Sequence, residues 1–387
     1  MSAPDPQAPV RILQLHGTFD LGGKEARVVR LMNHWAGKAT HDMLIGDPHA
    51  TAARAALDPA VPVRFLEGPR LYGAPGYGKF GALARLIADY DLVLSFNWGA
   101  MDGVMAHRLF GTIRGLPPLI HHEDGFNVDE AVARKPTRNQ YRRLALGGAH
   151  ALVVPSGLLA RIARREWHQR PERVHQIPNG IDVAAYAGPR DPAVIPGLVP
   201  DGRLIVGTLC GLRPVKNLPR LVRAVAPLRE RARLVIVGEG EERARIAAEA
   251  ASLGVDVLMP GFLPEPARYV GAFDIFALSS DSEQMPVSLV EAMAAGLPAV
   301  CTDVGDISEM VSLRNRPFVV VPDEAGAFRA ALARLIDDPA LRAALGEANR
   351  KRAAQCFDES LMFQLYGRLY GEAIGRRSAA DAESETK

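Results

Sequence analysis

Residues 279–304 read SSDSEQMPVSLVEAMAAGLPAVCTDV and contain a loop, a helix, a turn and a strand in succession. Pro286 stands where the first position of a helix tolerates proline, and the apolar run 287–295 predicts the helix itself. A Gly-Leu-Pro turn then ends the helix, and residues 299–301 predict a short apolar strand. This succession is one repeat of an α/β fold.

Two carboxylates flank the start of this helix. Glu283 precedes it, and Glu291 lies in its second turn. The free N–H groups and the dipole of a helix N-terminus favour an anionic ligand, and carboxylates accept hydrogen bonds from hydroxyl groups. Phosphates and hydroxyls together indicate a nucleotide sugar as the ligand of this stretch.

The composition is that of a globular protein large enough for two domains. The chain has 387 residues, of which 48% are hydrophobic and 23% charged, and its net charge of +2 gives no reason to expect nucleic acid. The three cysteines, Cys210, Cys301 and Cys356, lack metal-ligand spacing and suit a reducing compartment. Since neither a signal peptide nor an apolar run of ~20 residues is visible, we predict a cytoplasmic enzyme.

The same alternation of strands and helices occurs twice along the chain. Residues 10–15 predict a strand that leads into Gly22 and Gly23 and then a helix, and residues 204–208 restart the scheme. The alternation predicts α/β domains with mainly parallel, doubly wound sheets that bind ligands at the carboxyl ends of their strands.

The domain boundary is expected in the Pro- and Gly-rich segment 189–202. We place the first domain at residues 1–188 and the second at residues 189–357. The small polar residues 377–387 predict a disordered tail.

Arg213 and Lys216 lie in a glycine-containing loop after the first predicted strand of the second domain. Arg offers a planar fork and Lys a compact charge, so the pair suits a diphosphate. The alternative is a solvated loop with ordinary surface charges. We favour the phosphate site, because the loop lies at the carboxyl end of a strand.

Several glycines give weaker signals. Gly238 follows a strand, as glycine does in many α/β proteins, and Gly261 with Phe262 is either a nucleobase contact or a plain turn. Gly22 and Gly23 would let the backbone of the first domain approach a phosphate or a sugar.

Titratable residues are concentrated after a strand of the first domain, in the segment His121-His122-Glu123-Asp124-Gly125. Adjacent histidines in a strand point to opposite faces, so a shared metal ion is not expected. We favour a contact to sugar hydroxyls or to the reaction centre over a purely structural role.

Residues 131–173 contain ten Lys and Arg residues but only two Glu. The basic segment 134–173 would contact an anionic membrane or an acidic acceptor, which places the enzyme peripherally at the inner membrane face; solvated helix faces are the alternative. Aromatic residues are not interleaved with these charges for base stacking, so nucleic acid is not an expected partner.

Together these motifs resemble the retaining GT-B glycosyltransferases of family 4, which use nucleotide sugars. The motifs are VRILQLHGTFDLGGKE near the start, IPNGID, GLRPVKN, VGEGEER, and an E-x7-E element followed by AMAAGLP. The resemblance covers most of the chain and implies two Rossmann-like domains that face each other across a cleft. It also implies that a helix at about residues 358–376 crosses back to complete the first domain.

The family implies a role for each matching position. Arg213 and Lys216 would neutralise the donor diphosphate. Glu291 would accept hydrogen bonds from the ribose, and Glu283 would contact the transferred sugar at its reaction centre. Further donor contacts are expected from Gln284, Met285, Pro286, Val287, Gly238, Gly261 and Phe262, and from Gly22 and Gly23 of the first domain.

Two positions depart from the family pattern. The family places a histidine followed by Gly or Asp after the first-domain strand, whereas this chain has HHEDGF. Either His122 or Asp124 takes that place, and alignment on the strand end favours His122. Met285-Pro286 replaces a pair that contains glycine in many members, which would alter the donor-sugar pocket.

The resemblance implies retaining transfer of a sugar from a nucleoside diphosphate sugar to an acceptor hydroxyl. The acceptor would be a lipid or a saccharide in cell-envelope glycolipid or polysaccharide synthesis. No convincing Asp-x-Asp pair appears, so neither a metal nor another cofactor is required. The alternatives are a nucleotide-sugar epimerase on the same fold and a non-catalytic nucleotide-sugar-binding protein.

Overall fold

The computed structural model describes residues 9–74, 76–126, 128–130, 133–188, 191–322 and 325–375. The chain divides into two compact units, which we call unit 1 and unit 2. Unit 1 comprises the residues up to Pro178 together with those from Met362 onward, and unit 2 comprises Asn179–Leu361. The sequence-based division placed these boundaries at 188/189 and near 358. The predicted disordered tail, 377–387, lies outside the described residues.

Unit 1 alternates strands and helices along its described residues. Its elements are β1 (Val10–His16), α1 (Gly23–His34), β2 (Ala39–Ile45), β3 (Val63–Leu66), α2 (Tyr77–Ile87), β4 (Leu92–Phe96), α3 (Met101–Arg114), β5 (Leu119–His122), α4 (Pro136–Leu146), β6 (Ala151–Val154), α5 (Gly157–Arg165) and β7 (Val174–Gln176). The strands form one parallel sheet in the order β3-β2-β1-β4-β5-β6-β7.

Unit 2 repeats this alternation. Its elements are β8 (Leu204–Leu209), α6 (Leu218–Val225), β9 (Ala232–Val237), α7 (Arg243–Ser252), β10 (Val257–Gly261), β11 (Ile275–Leu278), α8 (Val287–Ala294), β12 (Ala299–Thr302), α9 (Ile307–Met310), β13 (Val319–Val320), α10 (Ala325–Asp337) and α11 (Pro339–Cys356). The strands form a second parallel sheet in the order β10-β9-β8-β11-β12-β13. The last helix, α12 (Glu359–Ala373), begins in unit 2 and belongs to unit 1 from Met362 onward.

Each sheet is buried on both faces, because successive side chains of a strand point in opposite directions. In β1, Leu13 and Leu15 join the core on the side of α2–α5, whereas Ile12 joins the core formed with α1 and α12. In β11, Ile275 and Ala277 face α6 and α10, whereas Phe276 packs in the core that includes α8. This two-sided burial explains why the strands read as nearly continuous apolar runs.

Both sheets show the doubly wound order in which the first strand lies between the second and the fourth. The chain runs from the first strand to one side of it and later returns to its other side, which defines the switch point. Ligands bind there, at the carboxyl ends of the strands. The switch point lies between β1 and β4 in unit 1 and between β8 and β11 in unit 2. The predicted α/β class with two Rossmann-like sheets is therefore confirmed.

The stretch 279–304 folds as its pattern predicts, with α8 and β12 at the expected places. Pro286 differs by one position: its ψ of 116° is extended, so it precedes the helix rather than starting it. No helix within the described residues is long and apolar enough to cross a membrane.

Candidate active site

The switch point of unit 2 brings Lys216 and Glu283 together. Lys216 lies in the loop after β8 and Glu283 in the loop after β11, and the Nζ to Oε1 distance is 2.5 Å. The Ser280 hydroxyl donates to the same carboxylate oxygen at 2.7 Å. The two ionic side chains are only 11% and 10% exposed, so their mutual attraction is weakly screened by water. The carboxyl ends of the parallel strands β8 and β11 thus bring together two residues that are far apart in sequence.

Further hydrogen bonds join the same two loops. Asn217 has a left-handed backbone conformation, with φ 43°, and its side-chain amide donates to both oxygens of Asp281 at 3.1 and 3.0 Å. The Ser279 hydroxyl donates to the carbonyls of Lys216 and Asn217. These supporting residues were not among the predicted site residues, although serine and asparagine at strand ends frequently order loops. They fix the backbone from which Lys216 projects.

Arg213 occupies the same loop as Lys216 but is exposed. Its backbone N–H donates to the Gly211 carbonyl at 2.8 Å. Within the described part of the chain, no acceptor contacts its guanidinium group. The loop therefore presents one paired cation and one cation open to an anion.

The predicted contacts 284–287 surround the start of α8. The Gln284 carbonyl accepts from the Asp306 N–H at 3.2 Å, and the Met285 sulfur accepts from the Asn179 N–H at 3.3 Å. Met285 is buried in the core of unit 2, so its side chain faces inward. Val287 begins the helix directly after Pro286. A ligand at this helix start would therefore meet main-chain amides rather than the Met285 side chain.

Gly305 is a close neighbour of this loop that the sequence analysis did not single out. Its φ is 64°, and a Cβ atom at this position would lie 2.3 Å from the Glu283 carbonyl oxygen. Only glycine fits there without moving the backbone that carries Glu283.

Glu291 lies in the second turn of α8 and is 6% exposed. Its Oε1 accepts a hydrogen bond from the Tyr186 hydroxyl at 3.1 Å. The sequence analysis did not identify Tyr186. Glu291 and Glu283 therefore belong to one helix start but have different partners, Tyr186 for one and Lys216 for the other.

The remaining predicted positions of unit 2 differ in accessibility. Gly238 has φ 139°, and a Cβ there would lie 1.9 Å from the Cys210 carbonyl oxygen, so backbone packing alone demands glycine. Its N–H donates to the Gly261 carbonyl at 2.8 Å. Gly261 also has a positive φ, 92°, and Phe262 next to it is 60% exposed. The aromatic ring of Phe262 is thus the accessible member of this group.

His122 and Asp124, the two alternatives in unit 1, occupy different environments. His122 is 1% exposed; its Nδ1 contacts the Ser95 carbonyl at 3.2 Å and its Nε2 contacts the Tyr370 hydroxyl at 2.9 Å. Burial, together with the positive charge of Arg27, lowers the pKa of His122 well below its usual value. His122 is therefore a neutral core residue whose two ring nitrogens both have partners.

Asp124 reaches the surface, with 13% of its side chain exposed. Arg27, which is almost fully buried, holds it through both guanidinium ends, with Nη2 to Oδ2 at 2.9 Å. Burial lowers the pKa of Arg27, but Asp124 together with Tyr366 and Tyr370 outweighs it, so the net shift is upward. The backbone N–H of Asp124 donates to the Asn97 side chain at 2.7 Å. Solvent access thus favours Asp124, whereas alignment on the strand end favours His122.

Gly22 and Gly23 are exposed at the start of α1. Gly22 is extended, with φ −176°, and a Cβ there would meet only the end of the Glu25 side chain. A close backbone approach in unit 1 lies elsewhere: a Cβ on Gly99 would be 2.5 Å from the Gly17 Cα.

The basic segment 134–173 is less charged than its sequence suggests. Five of its ten cations have protein partners: Arg134 with Glu166, Lys135 with Asp129, Arg138 with Asp129 and Glu130, Arg142 with Glu123 and Glu130, and Arg173 with the Gly147 carbonyl. The other five are exposed, namely Arg143, Arg161, Arg164, Arg165 and Arg170. Asp129 and Glu130, just outside the counted stretch, neutralise part of the excess.

In the described ranges, no group of three or more His, Cys, Asp or Glu side chains could hold a metal ion.

Comparisons with known proteins agree with this architecture. The family model described as Glycosyl transferases group 1 matches residues 196–352, and the model described as Glycosyltransferase Family 4 matches residues 21–185. The chain belongs to glycosyltransferase family 4 and has the GT-B fold. It is a glycosyltransferase.

Particular relatives show how far the similarity extends. A D-inositol 3-phosphate glycosyltransferase of Jonesia denitrificans is 28% identical over 388 residues, which is 88% of each chain. The putative glycosyltransferase EpsF of Bacillus subtilis is 30% identical over 61% of this chain and 66% of its own length. Among solved structures, Anabaena Alr3699/HepE in complex with UDP superposes with a TM-score of 0.78 at 20% identity, covering 94% of this chain and 100% of that chain. The same Anabaena protein has also been solved with UDP-glucose.

Proposed function

We propose that this glycosyltransferase moves a sugar from a nucleoside diphosphate sugar to an acceptor hydroxyl with retention of anomeric configuration. The observation that carries the proposal is the Lys216–Glu283 ion pair beside the exposed Arg213 at the switch point of unit 2. A diphosphate that binds there meets both cations and takes Lys216 from Glu283. The freed carboxylate then accepts hydrogen bonds from the hydroxyls of the transferred sugar. The UDP and UDP-glucose complexes of the Anabaena neighbour support a nucleotide-sugar donor.

The same groups account for catalysis. As the bond between sugar and phosphate breaks, negative charge grows on the leaving diphosphate, and Arg213 and Lys216 stabilise it. Positive charge grows on the sugar ring, and the Glu283 carboxylate would stabilise an oxocarbenium-like state. The acceptor attacks from the face that the phosphate leaves, and the departing phosphate takes the acceptor proton. Positioning and charge neutralisation then supply most of the rate enhancement.

Asp124 is the proposed contact of unit 1. Its carboxylate is partly exposed and is held by Arg27, and its backbone N–H donates to the Asn97 side chain. It would accept a hydrogen bond from a sugar hydroxyl. Replacement of Asp124 by Asn should lower transfer. Replacement of His122 by Gln should act through stability, because the imidazole is enclosed in the core.

The acceptor is proposed to be a lipid or saccharide of the cell envelope, which brings unit 1 to an anionic membrane. Two observations support this: five arginines of the segment 134–173 are exposed, and the nearby helices α3 and α4 expose Ile113 and Leu144. Co-sedimentation with phosphatidylglycerol vesicles, compared with phosphatidylcholine vesicles, tests the contact. Replacing Arg161, Arg164 and Arg165 with Ser should reduce the bound fraction. Replacing the paired Arg134 with Ser should change it less, since Glu166 already neutralises that charge.

The reaction itself is tested with a panel of UDP, GDP and ADP sugars, with and without candidate acceptors. Proton NMR of the product must show the anomeric configuration of the donor; an inverted product would contradict the retaining mechanism. Without acceptor, slow hydrolysis is expected. A new donor isomer would indicate an epimerase, and thermal stabilisation without turnover would indicate a binding protein.

A further inference from the structure

The carboxylate of Glu291 lies in an apolar part of unit 2. Its neighbours on α8, including Leu289, Val290 and Met293, are buried in the same core. A buried carboxylate is costly unless it accepts hydrogen bonds. The proposed function gives this carboxylate a task, contact with the ribose of the donor, so its orientation matters as well as its burial.

Tyr186 supplies a hydrogen bond from a rigid support. Its hydroxyl lies 3.1 Å from Oε1 of Glu291, although the two residues are 105 positions apart. The ring is 8% exposed and packs with Ile181 and Val183. The Asp182 side chain accepts from the Ala185 N–H at 3.2 Å and fixes the turn that carries the tyrosine. The hydroxyl is therefore held in place, and a hydrogen bond from it restricts rotation of the carboxylate.

We propose that Tyr186 is a positioning residue that sets Glu291 for the ribose hydroxyls of the donor. A carboxylate has about four acceptor positions, and the bond from Tyr186 occupies one of them at Oε1. A hydrogen bond to a charged group is stronger than one between neutral groups, which favours a single orientation of Glu291. This inference rests on the proposed function, because the ribose comes from the nucleotide sugar.

Tyr269 provides a matched control. It is buried in the same core, and burial, with a contribution from the charge of Glu291, raises its pKa. Its hydroxyl, however, lies 3.2 Å from the Leu263 carbonyl oxygen, to which it donates. Tyr269→Phe and Tyr186→Phe therefore remove equivalent hydroxyls from one core, but only Tyr186→Phe removes the bond to Oε1 of Glu291.

The test compares the dissociation constants of UDP, GDP and ADP with those of their 2′-deoxy and 3′-deoxy forms, by calorimetry on the full chain. Wild type should prefer the ribose form of its cognate nucleotide. Tyr186→Phe should reduce this preference about three- to tenfold, the scale of the net contribution of one typical hydrogen bond. In a transfer assay the donor KM should rise while kcat is retained, as expected for a ground-state contact. Tyr269→Phe should keep the wild-type preference.

A double-mutant cycle separates this proposal from a general loss of packing. Glu291→Gln should lose the ribose preference, and Tyr186→Phe should add no further loss in that background. An unchanged preference in Tyr186→Phe, or equal losses in both tyrosine variants, overturns the role of Tyr186 alone. A wild-type preference in Glu291→Gln overturns the ribose role of Glu291 and, with it, the proposal. If wild type binds none of the nucleoside diphosphates, the proposed function fails as well.

Discussion

The two units share one sheet order but close their switch points in different ways. In unit 1 the loops after β1 and β4 meet backbone to backbone, so closely that a Cβ on Gly99 would lie 2.5 Å from the Gly17 Cα. In unit 2 the loops after β8 and β11 meet through polar side chains, with Lys216 on Glu283 and Asn217 on Asp281. One edge is closed by main-chain packing and the other by hydrogen bonds and charge.

This difference shows that one sheet topology supports either a fixed backbone contact or an ion pair that a ligand can break. Two main-chain segments in direct contact separate only if their strands move, because protein interiors are close-packed. An ion pair, by contrast, breaks when a ligand with an equivalent charge replaces one of its partners. The diphosphate proposed for unit 2 is such a ligand, since it replaces Glu283 as the partner of Lys216.

The charged groups of unit 1 also differ from those of unit 2 in how deeply they are buried. The side chain of Arg142 is fully buried and forms ion pairs with Glu123 and Glu130. Its guanidinium group lies over the rings of Trp98 and Trp167. All ten histidines of the chain also lie in unit 1. Unit 1 therefore carries a fully buried ionic cluster around Arg142, whereas the side chains of Lys216 and Glu283 in unit 2 keep 11% and 10% exposure.

The largest expected effect concerns the exchangeable pair. Lys216→Ala should lower kcat/KM for transfer at least ~100-fold, the scale for losing one preorganised group that stabilises a developing anion. Arg223→Ala is the control, because it breaks an exposed pair with Glu249 in the same unit. Steady-state kinetics with matched thermal unfolding measure both variants. Transfer at the wild-type rate in Lys216→Ala would contradict the site.

Arg142 tests the fixed charges of unit 1. Arg142→Met should reduce the free energy of unfolding by about 3–5 kcal/mol, because it leaves buried Glu123 without its cation. The adjacent Arg143 is exposed, and Arg143→Met should change the stability by no more than about 0.5 kcal/mol. Urea unfolding distinguishes the two; equal effects would show that Arg142 is not a structural cation.

Mild acid should destabilise unit 1 and spare unit 2. Burial lowers the pKa values of His16 and His122 well below the usual value of a histidine. It lowers the pKa of His41 to about 4. These histidines stay neutral when folded, whereas the unfolded chain takes up protons below about pH 6.5, so stability is full above that pH and falls below it. From pH 7.5 to 5.5 the loss for the three is up to about 4 kcal/mol. Hydrogen-exchange protection factors should fall in peptides of unit 1 only; equal falls in both units would contradict the expectation.

The smallest effect concerns the backbone closure. Gly99→Ala should destabilise unit 1 by about 1–3 kcal/mol, because its Cβ has no space against Gly17. Gly22→Ala should be close to neutral, since that residue is extended and its Cβ meets only a flexible side chain. Thermal unfolding of the two variants gives the comparison. A neutral Gly99→Ala would show that the two loops of unit 1 separate easily.

The fold class and the elements that carry the site follow from local signals in the sequence. Strands and helices alternate with clear breakers, and parallel strands bring their carboxyl ends to one edge, so the loops of Lys216 and Glu283 were expected at the same place. The pairing of the Lys216 and Glu283 side chains, in contrast, is visible only in the folded chain. The tertiary structure also decided that Met285 and His122 face the core, and that Tyr186 meets Glu291. Periodicity and turn residues are local signals, whereas a contact across 105 positions depends on packing that no local pattern records.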